Sequence, residues 1–187
     1  MTITAAPAAG RDRDGERRRR IIDTAGRLFA SGGYAGTGIG EIAAAARLGP
    51  ATIYRLVGSK QELLTEAILG SLAEAVDAVV AIDLVEADAL DQLAALALAH
   101  RHLGALWQRG PRHLTPPAQE KARSPIRRFA ARLREQIQSV RSDLDDRAAE
   151  VLGWAMVATM ISPSLHHVPA TMDEYHRRIV VILGRIL

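Results

Sequence analysis

Between Gly33 and Lys60 the sequence GYAGTGIGEIAAAARLGPATIYRLVGSK leaves room for little except two short helices joined by a tight turn. Ile39, Ile42, Ala43 and Ala46 recur at helical spacing and give the first of them one apolar face. Gly49-Pro50 restarts the chain, since Gly is acceptable at an N-cap and Pro suits the first helical position. The helix that follows, from about Pro50 to Leu56, is too short to stand alone and must be held by packing. Ile53 and Val57 supply its inward contacts, while Thr52, Tyr54 and Arg55 point outward with hydrogen-bonding or cationic groups. A short propped helix with such a face is the geometry that a helix-turn-helix lays into a DNA major groove.

The rest of the chain is expected to be helical as well. Aromatic residues make up only 4% of the 187, and Ala and Leu supply much of the 48% apolar content, which favours helix over strand. A first helix is expected from Glu16 to Ser31, with Ile21, Ile22, Ala25, Leu28 and Phe29 inward and Gly32-Gly33 as its stop. Ser59-x-x-Glu62 is a capping box that opens a long helix to about Ile82. Further helices are expected from Asp88 to Arg109, from Ser124-Pro125 to Val140, from Asp145 to Ile161, and from a second capping box, Thr171-x-x-Glu174, onward. Pro111 to Ser124 reads as a loop or broken short helix. The expected class is all-α: a disordered tail over 1–15, a helix-turn-helix domain over 16–63, and a helical bundle over 64–187.

Composition closes several routes to function. The chain has no cysteine, so disulfides, thiolate zinc sites and a Cys nucleophile are excluded. It contains no HExxH, G-x-S-x-G or phosphate-binding Gly loop, and catalytic residues, cofactors and metal sites are therefore not expected. His100 and His102 stand two apart and face different ways on a helix, so they cannot share a metal. His166-His167, between Pro163 and Pro169, reads as a surface loop or a metal pair. With no signal-peptide core and no membrane-length apolar run, the expectation is a cytoplasmic protein.

Charge is shared unevenly. Residues 1–60 hold ten Lys/Arg against five Asp/Glu, whereas the remainder holds fourteen against sixteen, within an overall +3. The basic excess coincides with the helix-turn-helix, where it would attract a polyanion in a salt-dependent way or simply form a solvated face. The cations at Arg17–Arg20, Arg19 among them, and at Lys60 sit at helix starts, where the macrodipole is already positive. Free N–H groups and an ammonium converging on one anion make a phosphate site, which explains that placement better than stability does. Thr37 suits a helix cap, a phosphate contact or both. The Tyr54 hydroxyl suits a phosphate or base edge, or else Tyr54 is an amphipathic core residue. Arg55 can pair with guanine, bind phosphate or stay an ordinary surface Arg. Pro50, like Gly49 and Ala51, offers only backbone and apolar contacts.

Taken together, the segment from Arg17 to Leu64 resembles the DNA-binding domain of the tetracycline-repressor (TetR) family of transcriptional regulators. The resemblance rests on Ile21, Ala25 and Leu28-Phe29, on Gly33-Tyr34, Thr37 and Glu41-Ile42-Ala43, and on Ala51-Thr52-Ile53-Tyr54 and Ser59-Lys60-x-x-Leu63. It implies a three-helix head, a helical ligand-binding and dimerisation body, and double-stranded operator DNA with palindromic symmetry as partner, bound by a homodimeric repressor that a small molecule releases. By position, Thr37, Thr52, Tyr54 and Lys60 match residues that hold the DNA backbone, and position 55 is one that varies with operator sequence. Arg47 departs from the pattern where Gly is usual in the turn, Gly49 replaces a Ser or Thr cap, and Leu56-Val57 replaces an aromatic and polar pair.

Within the body, His100, Trp107, Phe129, Met156 and Met160 are the candidate lining of an effector site, although plain core packing is the role each residue type fills more often. Scarce aromatics with abundant Leu, Ala and Met suggest an apolar small-molecule effector. The last two helices are apolar over much of their circumference, which points to a homodimer interface. Leu152, Ala155, Thr159, Ile179, Ile182, Leu183 and Ile186 are its expected contacts, in a four-helix arrangement with two-fold symmetry. The alternative function is a DNA-coating or architectural protein using the same head without an effector.

Overall fold

A computed structural model describes residues 8–165 and 171–187. Every regular element among them is helical: α1 Ala8–Gly36, α2 Ile39–Ala45, α3 Pro50–Val57, α4 Lys60–Val80, α5 Ala89–Ala99, α6 Gly104–Arg109, α7 Pro116–Val140, α8 Asp146–Ile161 and α9 Met172–Ile186. Short 3-10 turns at Arg101–Leu103, Gly110–His113 and Ser162–Ser164 join or extend them. No described helix is long and apolar enough to cross a membrane. His166-His167 lies outside the described residues.

The head packs α1, α2, α3 and the first half of α4 around Ile21, Phe29, Ile42, Ile53, Leu63 and Leu64. Two backbone devices set its shape. Gly33, at φ 73°, kinks α1 near its end, where the Gly pair was expected to stop it. Between α2 and α3, the Leu48 N–H bonds the Ala43 carbonyl and the Arg47 N–H bonds that of Ala44. These are the paired bonds of a Schellman ending, with Arg47 in the left-handed position at φ 57°.

α4 belongs to both halves of the molecule. Its capping box forms as expected: Ser59 Oγ accepts from the Glu62 N–H, and the Glu62 carboxylate accepts from the Ser59 N–H. Leu63 through Leu72 enter the head's cluster, and Val76 and Val79 enter that of the body. The head's cluster also takes in Leu106, Leu114, Ala118 and Ala122, so packing runs without interruption across residues 63 and 64. The body's own core centres on Phe129, Leu133, Ile137, Met156, Ile179 and Leu183.

Several expected boundaries are corrected. α1 begins at Ala8 rather than Glu16, so residues 8–15 are helical instead of a disordered tail. Asp14 meets Arg17, three residues on, at 3.5 Å, an ion pair at helical spacing that favours the longer helix. The helix expected from Asp88 to Arg109 is broken after Ala99, and Asp88 supplies no side-chain cap. The His100 ring and the Arg101 guanidinium satisfy the Leu96 and Leu98 carbonyls, which lets α5 end. Gly104 then passes so close to Ser164 that a Cβ would collide with it.

α7 starts at Pro116, where a loop was expected. Proline at the first helical position costs nothing, because its missing N–H has no intrahelical partner there. Pro125 lies buried inside the same helix instead of opening a new one. Asp145 caps α8, accepting from the Ala148 N–H at 2.7 Å. Thr171 caps α9, but Glu174 completes no box and turns instead to Arg178, 2.5 Å away.

Candidate nucleic-acid interface

α3 is held from beneath and free above. Ile53 and Val57 are buried in the head, while Pro50 and Arg55 are exposed and Tyr54 is 54% exposed. Thr52 is half-buried beside them. Gly49 leaves the helix start without a side-chain cap, so the first-turn amides have no side-chain acceptor of their own. α3 is fixed at its other end by Arg18, whose Nε donates to the Leu56 carbonyl at 3.1 Å and whose guanidinium also pairs with Glu66 of α4. One arginine of α1 thereby ties α3 and α4 together. Arg18 was expected with the rest of Arg17–Arg20 at a phosphate site; it turns inward instead, and nothing in a run of four Arg distinguishes the inward one.

Gly58 turns the chain from α3 into α4 at φ 90°, and a Cβ there would collide with the Glu62 carboxylate. The turn delivers Lys60 to the first position of α4. Its ammonium lies 4.5 Å from the centre of the Tyr34 ring, a cation–π contact that restrains a long side chain without consuming its charge. Tyr34 in turn stacks on His113 at 4.8 Å, and Gln61 donates to the His113 carbonyl. Pro50, Thr52, Tyr54, Arg55 and Lys60 are thus brought together around α3 and the turn after it.

Two expected contacts fall elsewhere. Thr37 is buried, and its only hydroxyl proton is directed inward, at the Gly33 carbonyl 2.9 Å away and the Leu28 carbonyl 3.1 Å away. Its side chain neither caps α2, whose N-cap is Gly38, nor has a proton left for a phosphate. It closes the end of α1 instead. Arg19 lines a cleft between head and body with Asp23, Glu66 and His102, and no residue of α2 or α3 lines that cleft.

The segment containing this arrangement, residues 21–67, matches the model of bacterial regulatory proteins of the tetR family. The likeness to that family in sequence lies in the head.

Around it, the whole TetR-type architecture recurs in solved structures. A bacterial regulatory protein of the tetR family from Rhodococcus RHA1 superposes with a TM-score of 0.71 at 22% identity, over 91% of this chain and 96% of that one. A Saccharomonospora viridis protein described as a transcriptional regulator, solved with choline, gives 0.73 at 23% identity, over 91% and 96%. AibR, solved with isovaleryl coenzyme A and operator DNA, gives 0.64 at 23% identity, over 89% and 97%. At these identities the likeness is one of fold. No curated protein matches the sequence.

Behind the head, the body holds an apolar pocket of about 210 Å³, half open to solvent, between α4, α6, α7 and α8. Trp107 and Phe129 line it with Leu72, Val76 and Val157, and no charged residue does. A smaller adjoining space of about 40 Å³ is lined by His100, Met160 and the same Trp107. The Trp107 indole N–H donates to Ser71 Oγ at 3.0 Å and its ring lies 6.4 Å from that of His100. Four of the five expected lining residues therefore meet around Trp107. Met156 does not: it is fully buried in the body's core and lines neither space.

On the far side of the body, α8 and α9 show an apolar surface that differs from the expected one. Ile179 and Leu183 are buried against α5 and the rest of the core, so they are not available to a second chain. Leu152, Ala155, Thr159 and Ile186 are half-buried, and Ile182 is exposed. The most exposed apolar groups of these helices are Val151 (67%) on α8 and Val181 (53%) and Ile182 (47%) on α9, and Trp154 of α8 is 41% exposed. Periodicity marks both faces of such a helix as apolar and does not say which one the chain itself covers.

Proposed function

We propose that this protein is a homodimeric transcriptional regulator that binds a palindromic operator through its TetR-type heads, acts as a repressor, and is released by a small apolar ligand. The observation that carries the reading is the juxtaposition of the exposed Tyr54-Arg55 face of α3 with Lys60, on a head whose sequence matches the family. Thr52, Tyr54 and Lys60 hold phosphates and fix register, while Arg55 reaches a base edge. Residues 64–187 serve the effector and the partner chain. Val151, Trp154, Val181 and Ile182 form the centre of the two-fold contact, which would cover the apolar surface left on α8 and α9.

The effector is uncharged and compact. A cavity of about 210 Å³ accommodates roughly eight to ten non-hydrogen atoms, scaling from the ~150 Å³ cavity that holds benzene. Choline, the ligand of one structural relative, fits by volume, but with no carboxylate in the lining only the ring faces of Trp107 and Phe129 would meet its charge, and a coenzyme A ester would seat only part of itself there.

The test is binding of the purified protein to duplex fragments from upstream of its own gene, against random duplex of equal length. Specific retention should weaken by about 0.9 log unit per log unit of salt for each phosphate neutralised. Equal affinity for both duplexes would favour the architectural alternative, and no retention at low salt would remove the DNA reading altogether. A thermal-shift panel of small neutral hydrophobes, choline and acyl-coenzyme A then tests the effector, and stabilisation by the charged compounds alone would refute the apolar assignment.

A further inference from the structure

Arg55 points outward from α3, yet its guanidinium is already engaged. Nη1 donates to Asp14 Oδ2 at 3.0 Å and Nη2 to Asp14 Oδ1 at 3.3 Å, a fork-to-fork pair that joins the DNA-facing helix to the early part of α1. Asp14 also meets Arg17 at 3.5 Å. The side chains are 57% and 38% exposed, and ion pairs so open to water add little to folding stability. What the pair does change is the charge and the orientation of the one arginine placed to read sequence.

We propose that Asp14 is a specificity-determining residue of the DNA interface, neutralising and orienting Arg55 so that it reads a base edge and does not act as a free cation for phosphates. The inference rests on the reading that α3 faces duplex DNA. Phosphate attraction is independent of sequence and grows with each uncompensated cation. Base readout needs N–H donors in a fixed geometry. A guanidinium has five N–H donors, and a carboxylate held across its two terminal nitrogens leaves three of them, Nε–H included, for an acceptor in the groove. Orientation by Asp14 also reduces the rotamer freedom that Arg55 would otherwise lose on binding. The carboxylate's own charge repels phosphates of a wrongly placed duplex. Together these effects widen the difference in affinity between the preferred sequence and arbitrary DNA.

The geometry has an electrostatic counterpart. The hydrogen bond from Arg55 holds the Asp14 carboxyl below the usual carboxylate range, with smaller help from Arg17, and the same bond raises Arg55. Nothing in a sequence read as a tail before Glu16 would have disclosed this pair, because Asp14 becomes a neighbour of Arg55 only once α1 extends back through it.

The decisive experiment uses the full chain and two duplexes: one selected from a random pool by the unaltered protein, and a scrambled duplex of the same length. Asp14→Asn should bind the scrambled duplex several-fold more tightly, with a log–log salt slope steeper by about 0.9, and the preference for the selected duplex should fall. In an Arg55→Ala background the same substitution should move that preference by less than about twofold, since the cycle isolates the pair. An unchanged preference in Asp14→Asn, or an equal change in both backgrounds, would overturn the proposal. Without DNA, NMR titration of Asp14 should return to the ordinary carboxylate range in Arg55→Ala; if it does not move, the pair is refuted on its own. An unaltered protein that selects no duplex would instead overturn the DNA reading beneath it.

Discussion

Arg47 is held at φ 57° by the two hydrogen bonds that end α2, a conformation a side chain makes costly and Gly makes easy. The left-handed position costs an L-residue roughly 1–2 kcal/mol, against which Gly loses about 0.5–1 kcal/mol in backbone entropy. Arg47→Gly should therefore stabilise the chain by roughly 0.5–1 kcal/mol, read as a higher denaturant midpoint at constant slope. A lower midpoint would mean that the Arg side chain makes a compensating contact. Lys60 poses the opposite question, since a cation at the first position of a helix opposes the macrodipole. Lys60→Ala should leave stability unchanged or slightly higher while weakening selected and scrambled duplex alike, with the salt slope shallower by about 0.9. Full duplex affinity in that variant would show that the ammonium serves only its contact with Tyr34.

At the scale of elements, what the sequence made legible was whatever local chemistry decides. The Ser59–Glu62 box, the start of α8 at about Asp145, the Gly49-Pro50 restart and the inward row of α3 all appear where spacing placed them. What was not legible depended on distant neighbours. The close approach of Gly104, just after the break, is to Ser164, far along the chain, and Thr37 turns inward because the end of α1 needs a donor. Arg18 and Asp14 look like any other charges in a charged run until α3 and α4 are folded against them. The apolar helices α8 and α9 show the same limit, because burial against α5 and exposure to a partner leave one pattern in the sequence. The two sets of residues can be separated by experiment. Trp154→Glu should yield a folded monomer in sedimentation at micromolar concentration, since the residue is 41% exposed in the single chain. Leu183→Glu, at a fully buried position, should instead unfold the body. A Trp154→Glu dimer of unaltered affinity would remove this face as the interface.

For the molecule as a whole, the question is how a ligand in the body's pocket would act on the start of α4, the proposed phosphate contact. The packing offers a continuous route. Trp107 lines the cavity from α6, and the turn after α6 brings Gly110 so near Ile68 of α4 that a Cβ would lie 2.6 Å from its Cδ1. The same turn ends in His113, which stacks on Tyr34 and accepts through its carbonyl from Gln61, with Lys60 over the Tyr34 ring. Displacement of α6 by a ligand would thus shift Tyr34 and the start of α4 together. Spatial continuity alone does not establish coupling; an equilibrium that both sites bias does. His113→Ala removes the stack but leaves the backbone carbonyl and every cavity-lining residue in place. The variant should therefore keep its affinity for duplex and for the ligand measured separately, while the ratio of duplex affinities with and without ligand falls toward one. Linkage requires the same loss when ligand affinity is measured with and without duplex, so the two measurements check each other. If the ratio is retained in both directions, coupling passes through another contact, and Arg18, which joins α1, α3 and α4, becomes the next to test.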